Sequence, residues 1–166
     1  MVAERWVPTD ASPSLSGRRS TNTGPEMALR RALHALGVRF RLHRRLAPAC
    51  TPDIVLPGRR VAVWVDGCYW HSCPEHGRTK PFTGPNSEMW RAKMERTRDR
   101  DARAVETAEA LGWAVVRIWE HDIRHDAVSA ARLVLAASSA DQTHTASSDT
   151  GGSGTPAAYQ GGRHPR

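Results

Sequence analysis

Hydrophobic and polar positions along the chain predict helices and short strands that alternate between two polar ends. Over residues 25–36, leucines recur at helical spacing at Leu29, Leu33 and Leu36, and Gly37 follows as a stop signal. Residues 38–44 (VRFRLHR) then alternate between apolar and polar, as in a strand that is buried on one face. The folded part is therefore expected to begin with a helix and a half-buried strand.

Three further segments are short and apolar and predict strands: residues 53–56, 61–65 and 113–119. The PGRR sequence between the first two predicts a hairpin turn. A long helix is expected from Asn86, a suitable capping residue, to about Leu111, with a last helix over residues 126–137. The stripe expected to face inward on the long helix consists of Trp90, Met94, Thr97, Asp101, Ala104, Ala108 and Leu111.

The order α-β-β-β-α-β-α predicts an α/β fold with a mixed central sheet flanked by helices on both sides. This is the order of the restriction-endonuclease-like core. Residues 1–23 are rich in Ser, Pro and Arg and predict a flexible basic arm, whereas the composition of residues 138–166 predicts a disordered tail. One folded domain is therefore expected over residues 24–137.

Charge and cysteine content narrow the function classes. The net charge of +7 and pI of about 10.3 make a polyanion a plausible partner, although many basic proteins bind no nucleic acid. Three cysteines, with no apolar signal segment and no membrane-length run, argue against a disulfide framework and favour a metal role for some of them. We therefore expect a cytoplasmic protein that does not associate with a membrane.

Four carboxylates are candidates for a catalytic metal site. Asp53 and Asp66 flank adjoining strands, and in an antiparallel hairpin the start of one strand lies near the end of the next. Glu26 and Asp101 lie at or on the buried faces of their helices. Convergence of these acids at one end of the sheet would suit Mg²⁺ and phosphodiester hydrolysis.

Each acid also has an ordinary structural interpretation. Asp53 and Asp66 are both explained as turn residues, the second within an Asp-Gly pair. Glu26 is a favourable charge at a helix N-terminus, and Asp101 could pair with Arg98 or another buried arginine. The sequence alone leaves both interpretations open.

A Cys/His cluster follows the second of the two hairpin strands and predicts a structural zinc site. His121, after the last strand, offers a distant ligand, so that five candidates compete for four places and one His is left for catalysis. Cys50 lies outside the cluster and is interpreted as an inert thiol, and a cluster without metal is the alternative. The five candidates are Cys68, His71, Cys73, His76 and His121.

Aromatic side chains next to the cluster suggest contact with bases. Tyr69 and Trp70 are adjacent on the loop, and Trp90 opens the long helix. An exposed aromatic can wedge between base steps, and packing is the alternative for Trp70 and Trp90. The tryptophans assigned to the core are Trp64, Trp113 and Trp119.

Four blocks of the sequence resemble the very-short-patch-repair (Vsr) mismatch endonucleases. The blocks are STNTGPEMALRRAL, PDIVLPGRRVAVWVDGCYWHSCPEHG, NSEMWRAKMERTRDRDARA and LGWAVVRIWEHD, and they span residues 20–124. The resemblance implies a restriction-endonuclease-like fold with a structural zinc. It also implies Mg²⁺-dependent nicking 5′ to the T of a T:G mismatch, which arises when 5-methylcytosine deaminates.

The same resemblance implies roles for individual residues. Asp53 corresponds to the Mg²⁺-binding aspartate, with the main-chain carbonyl of Val65 as a companion ligand. His71 corresponds to the general base that activates water. Glu26 and Asp101 correspond to accessory acids that hold metal-bound waters or the base.

The zinc ligands and the DNA wedge follow in the same way. Cys68, Cys73 and His121 match zinc positions. His76 is taken as the fourth ligand, so that His71 stays free for catalysis. If His71 were the fourth ligand instead, the assignment of His71 as the general base would fail. The residues that match the aromatic wedge are Tyr69, Trp70 and Trp90.

Three features depart from the family pattern. The loop that carries the cluster is shorter than in the family, which leaves the fourth zinc ligand open between His71 and His76. His121 replaces a family Cys, a change that zinc tolerates. Asp66 stands where the best-known members have a His, which leaves open whether it binds the metal directly.

The expected partners are duplex DNA with a mismatch and, by resemblance, mismatch-repair proteins and a functional link to a cytosine-5 DNA methyltransferase. A monomer associated with the nucleoid is expected. Two other functions compete with mismatch nicking, namely a less selective restriction-type nuclease and a zinc-stabilised DNA-binding module without catalysis.

Overall fold

The computed structural model describes residues 6–7, 21–71, 73–77 and 81–137. The predicted order of elements is confirmed, with one additional short helix. The elements are α1 (Gly24–Ala35), β1 (Arg41–Leu42), β2 (Ile54–Leu56), a 3₁₀ turn (Pro57–Arg59), β3 (Val61–Asp66), α2 (Ser87–Ala110), β4 (Ala114–Trp119), α3 (Glu120–His125) and α4 (Ala127–Ala136). The predicted tail, and most of the predicted arm, lie outside the described residues.

The four strands form one mixed sheet in the order β1-β2-β3-β4. The first three are antiparallel neighbours, and the 3₁₀ turn closes the β2–β3 hairpin as the PGRR sequence predicted. Strand β4 runs parallel to β3, from Val61 opposite Ala114 to Asp66 opposite Trp119. The parallel pair is joined through α2, so the ends of β3 and β4 lie at the same edge of the sheet.

Helices cover both faces of this sheet, as predicted. Because side chains alternate along a strand, Ile54 and Val63 face one side and Val55 and Ala62 the other. The first set packs with α1, α3 and α4 around the fully buried Leu33. The second set forms a smaller core with α2, whose other buried members are Cys50, Ala108 and Trp113.

The predicted strand over residues 38–44 was too long. Only Arg41 and Leu42 pair, with Val55 and Ile54, and both are exposed. Strand β2 has just three residues, and His43 has a positive φ of 46°, so the ladder ends there. The alternating pattern thus reflects an edge segment rather than a full strand.

The predicted inward stripes were wrong at their last residues. Leu36 and Leu111 are 41% and 44% exposed. Each is the C-cap of its helix, where the chain turns away through a glycine with positive φ, so the side chain leaves the stripe. The tryptophan assignments were partly right, because Trp113 is buried whereas Trp64 and Trp119 are half-buried.

The C-terminal helical region begins earlier than predicted. Six residues after β4 form α3, and Asp126 then caps a separate helix by accepting hydrogen bonds from the backbone of Val128 and Ser129. The short α3 contributes the buried Ile123 to the core. None of the helices in the described part of the chain is long and apolar enough to cross a membrane.

Candidate active site and metal centre

Three candidate side chains meet at the end of β3. Asp66 ends the strand, His71 lies in the loop that follows, and Asp101 faces them from α2. The Nδ1 atom of His71 lies 2.6 Å from Asp101 Oδ2 and 3.6 Å from Asp66 Oδ1. Burial alone would raise the pKa of Asp101, but its hydrogen bond with His71 and nearby arginines lower that pKa overall. Asp101 is therefore ionised and accepts the Nδ1 proton of His71.

Arg117 completes this cluster, and the sequence reasoning missed it. Its Nε and Nη2 atoms donate to Asp66 Oδ2 and Oδ1 at 2.6 and 2.8 Å, and Nη2 lies 3.6 Å from Asp101 Oδ2. Burial alone would lower the pKa of Arg117, but Asp66 raises it overall. A lone arginine in the apolar strand WAVVRIW was the signal available in the sequence. The partners of Asp101 are thus Arg100, at 3.1 Å, and Arg117, and not the Arg98 considered above.

Asp53 lies where β2 begins, beside β3. Its Oδ2 atom accepts a hydrogen bond from Val65 N at 2.8 Å, and its own N donates to Val63 O. Burial raises the pKa of Asp53, and the negative charges of Glu26 and Asp66 add to that rise. A partly desolvated carboxylate with acidic neighbours is a suitable donor for a hard divalent cation, since the cation's charge would reverse that cost.

Glu26 is buried and engaged by its own helix. Its Oε2 accepts from Arg30 Nη2 at 2.8 Å and from Asn22 N at 3.0 Å, while Oε1 accepts from Thr23 Oγ1 at 3.0 Å. Glu26 therefore stabilises the first turn of α1. The four acids do not gather into one cluster: in the described part of the chain, Asp66 and Asp101 meet at His71, whereas Asp53 and Glu26 are outside that group.

The four residues chosen as zinc ligands also meet. Their ligand atoms lie within 4.8 Å of one another, and His71 is outside the group. The distance to His121 Nδ1 is 3.2 Å from Cys68 Sγ and 3.6 Å from Cys73 Sγ, and Cys73 Sγ is 4.0 Å from His76 Nδ1. Tetrahedral zinc at usual bond lengths places S and N ligands roughly 3.5 Å apart. The donor set therefore fits this ion.

The surroundings of the Cys/His cluster also fit a cation. Burial raises the pKa of Cys68 to about 11, a cost that a bound cation would relieve by stabilising the thiolate. The Nδ1 atom of His121 faces the two thiols, and its Nε2 atom lies 3.3 Å from Asp122 Oδ1. A carboxylate next to the second ring nitrogen is the kind of contact that orients a metal-binding His. Cys68 N donates to Glu120 Oε1 at 3.0 Å, which fixes the loop to the start of α3.

The aromatic residues predicted to contact DNA form a contiguous group. The Trp70 ring lies 5.1 Å from Tyr69 and 5.8 Å from Trp90, centroid to centroid, and all three are half-buried. The Lys93 ammonium lies 5.0 Å from Trp70 and 5.1 Å from Trp90. Phe82 stacks on Trp90 at 6.0 Å. The packing and the DNA-contact interpretations are thus compatible, because the rings pack on each other and keep exposed edges beside a cation.

Trp6 and Val7, in the N-terminal arm, contact this group and the residue that precedes α2. Trp6 meets Trp90 edge to face at 5.5 Å. The buried Asn86 amide accepts from Val7 N at 3.0 Å and donates to Val7 O at 2.7 Å. Asn86 does precede α2, but its side chain makes no capping hydrogen bond and holds the arm instead.

Comparisons with known proteins find one matching family model and several relatives. The family model described as DNA mismatch endonuclease Vsr matches residues 4–75. The chain is 42% identical over 123 residues to the type II nicking enzyme V.NaeI of Lentzea aerocolonigenes, covering 72% of each chain. It is 42% identical over 116 residues to V.XorIIP of Xanthomonas oryzae pv. oryzae, covering 69% of this chain and 82% of the relative. The DNA mismatch endonuclease Vsr of Escherichia coli is 29% identical over 115 residues, which is 68% of this chain and 70% of that protein.

Proposed function

We propose, since the chain belongs to the Vsr family of DNA mismatch endonucleases, that it nicks one DNA strand 5′ to the T of a T:G mismatch with Mg²⁺ as cofactor. Membership of this family makes it an endodeoxyribonuclease with DNA as its substrate. The single observation that carries the chemistry is the 2.6 Å contact between His71 Nδ1 and Asp101, beside the strand end where Asp53 meets Val65.

His71 acts as the general base. Its Nδ1 proton is donated to the ionised Asp101, so Nε2 is the nitrogen left to accept a proton from water. Asp101 fixes this tautomer and stabilises the imidazolium that forms after proton transfer. General base catalysis of this kind contributes on the order of 10²–10⁴-fold to the rate.

Asp53 and the main-chain carbonyl of Val65 would hold the divalent cation. Mg²⁺ bound there would polarise the scissile phosphate. The hydrogen bond from Val65 N uses one oxygen of Asp53 and orients the other carboxylate oxygen for metal binding. Glu26 acts from farther away, through its electrostatic effect on Asp53.

The Cys/His cluster would hold zinc and so keep the loop that carries His71 in place. Cys68 and Cys73 bracket His71 in sequence, so a metal that fixes both also fixes the backbone on either side of the base. Tyr69 and Trp70, from the same loop, open the duplex together with Trp90. Unstacking is least costly where pairing is already poor, which favours a mismatch as the site of attack.

The test uses labelled duplexes with one mismatch or none in varied flanking sequences, incubated with Mg²⁺ or with EDTA. The wild-type protein should nick the T strand of T:G duplexes only with Mg²⁺. Asp53→Asn keeps the acceptor for Val65 N but loses the charge, and it should lower the rate roughly 1,000-fold or more while DNA affinity stays. Asp99→Asn, an exposed acid on α2, is the matched control.

Each alternative gives a different result. Equal cutting of matched duplexes would replace mismatch nicking with a less selective nuclease. Binding of mismatched DNA without nicking in any metal would indicate a DNA-binding module. Normal nicking by Asp53→Asn would remove Asp53 from the metal site.

A further inference from the structure

The Asp66 carboxylate is held on both of its oxygens by one guanidinium. Arg117 Nε donates to Oδ2 at 2.6 Å and Nη2 to Oδ1 at 2.8 Å. The Asp66 side chain is 5% exposed and that of Arg117 is 36% exposed. Two parallel, charge-assisted hydrogen bonds to a buried carboxylate are strong and fix its orientation.

This arrangement conflicts with metal binding by Asp66. A divalent cation on either oxygen would have to share that oxygen with an Arg117 N–H donor, which competes with the cation for the oxygen's electron density. It would also place its charge next to a guanidinium that is always protonated and whose movement β4 restricts. Asp66 does belong to a group of three potential ligands with His71 and Asp101, but its charge is already neutralised by Arg117.

Arg117 also lies close to the hydrogen-bonded pair formed by Asp101 and the proposed base, His71. Its Nη2 lies 3.6 Å from Asp101 Oδ2, the same oxygen that accepts the His71 Nδ1 proton. Without Arg117, Asp66 would face Asp101 across His71 with no guanidinium to compensate its charge, and Asp101 would keep its contact with Arg100. Repulsion would then turn Asp101 away, or His71 would hydrogen-bond to either acid, since Asp66 Oδ1 is 3.6 Å from Nδ1.

We propose that Asp66 and Arg117 form a positioning pair that keeps the Asp101 carboxylate on His71 Nδ1, and that Asp66 does not bind the metal. The proposal rests on the proposed function of the site. Asp66 stands where the best-known family members have a histidine, and in this chain Arg117 holds it. Neither residue touches the reacting atoms.

The test compares Asp66→Asn, Arg117→Gln and the double variant with the wild-type protein in steady-state nicking of a T:G duplex. Both single variants should lower kcat roughly 10- to 100-fold, the effect expected of a small misplacement of a catalytic group, with unchanged KM. The double variant should be no slower than the slower single variant, because the pair acts as a unit. Arg132→Gln, an exposed arginine on α4, is the matched control.

The dependence of the rate on Mg²⁺ concentration separates positioning from metal binding. Half-saturation should be the same in wild type, Asp66→Asn and Arg117→Gln. A higher Mg²⁺ requirement in Asp66→Asn alone would make Asp66 a metal ligand and overturn the proposal. An unchanged kcat in Arg117→Gln would overturn it as well.

Two further variants keep the test informative if Arg117→Gln does not fold. The double variant leaves no unpaired buried charge, so it should fold, and wild-type kcat in that variant would overturn the proposal. Arg117→Lys keeps the charge but loses the two-pronged contact, and it should have an intermediate kcat. If the wild-type protein itself nicks no mismatched duplex, the proposed function fails, which is distinct from a normal rate in the Arg117 variants.

Discussion

Removal of the Glu26 carboxylate should destabilise the fold strongly, and this effect must be separated from any effect on nicking. Glu26 and Arg30 form an ion pair at 2.8 Å, with side chains that are 6% and 8% exposed. Glu26→Ala leaves the Arg30 guanidinium buried without its carboxylate. Arg30 Nε already has no hydrogen-bonding partner within the described residues, so the guanidinium would keep only neutral contacts: Nη1 with Asn22 Oδ1 and Met27 Sδ, and Nη2 at 3.4 Å from His43 Nε2.

The magnitude follows from burial. Breaking a buried ion pair by removing one partner costs about 3–5 kcal/mol. For a domain of about 110 residues this corresponds to a fall in melting temperature of roughly 10–20 °C. The free energy of unfolding of a typical domain is about 5–15 kcal/mol, so a loss of this size removes a large part of the stability. Glu26→Ala should therefore remain folded only well below the wild-type melting temperature.

The assay is thermal and urea unfolding followed by circular dichroism, with nicking measured at a temperature where every variant is folded. Glu26→Ala/Arg30→Met removes both charges and should regain most of the lost stability, because replacing a buried pair with apolar groups is often nearly neutral. Glu95→Ala, an exposed acid on α2, is the control. A Glu26→Ala variant that melts within about 2 °C of wild type would show that loss of the buried Glu26–Arg30 ion pair does not have the expected cost. Nicking by the stabilised double variant then reports the catalytic contribution of the Glu26–Arg30 pair, separated from the loss of stability.

The remaining predictions concern the metal, the wedge and a helix cap. Cys73→Ser should lose bound zinc, measured by mass spectrometry, and melt at lower temperature, whereas Cys50→Ser, outside the cluster, should keep the zinc; equal zinc content in both would contradict the ligand assignment. Trp90→Ala should weaken binding to a T:G duplex by about 1–3 kcal/mol in a titration, because a stacked aromatic is lost, and Trp90→Phe should keep most of the affinity. Asp126→Ala should lower the melting temperature by removing the cap of α4, and Asp126→Asn, which keeps an accepting oxygen, should lower it less. Hydrogen bonds from Ser129 lower the pKa of Asp126, so the charge-dependent part of its stabilising effect is complete above the ordinary value of 3.8 and is lost as the pH falls through the lower folded-state pKa. A difference in stability between wild type and Asp126→Ala that did not shrink on acidification would count against a charged cap.

Local sequence patterns were sufficient to predict the order of helices and strands and the polar residues at the ends of the strands. Periodicity and turn signals are local, and they were sufficient to predict the helix at Gly24–Ala35, the β2–β3 hairpin and the long α2. Placement of Asp53 beside the end of β3 followed from antiparallel pairing alone. The close spacing of Cys68, Cys73 and His76 made a metal cluster predictable as well.

The hydrogen-bonding partner of each polar side chain could not be predicted from the sequence, because it depends on contacts between residues far apart in the chain. Asp66 meets Arg117 across 51 positions of sequence, and Asn86 meets Val7 across 79. Both contacts depend on how β3, β4 and α2 pack, which no local pattern encodes. A buried charge must be compensated by whichever opposite charge the fold brings near it, and for Asp66 the parallel pairing of β3 with β4 supplies Arg117. The sequence therefore determined which acids border the site, and packing decided which of them stay available for a metal.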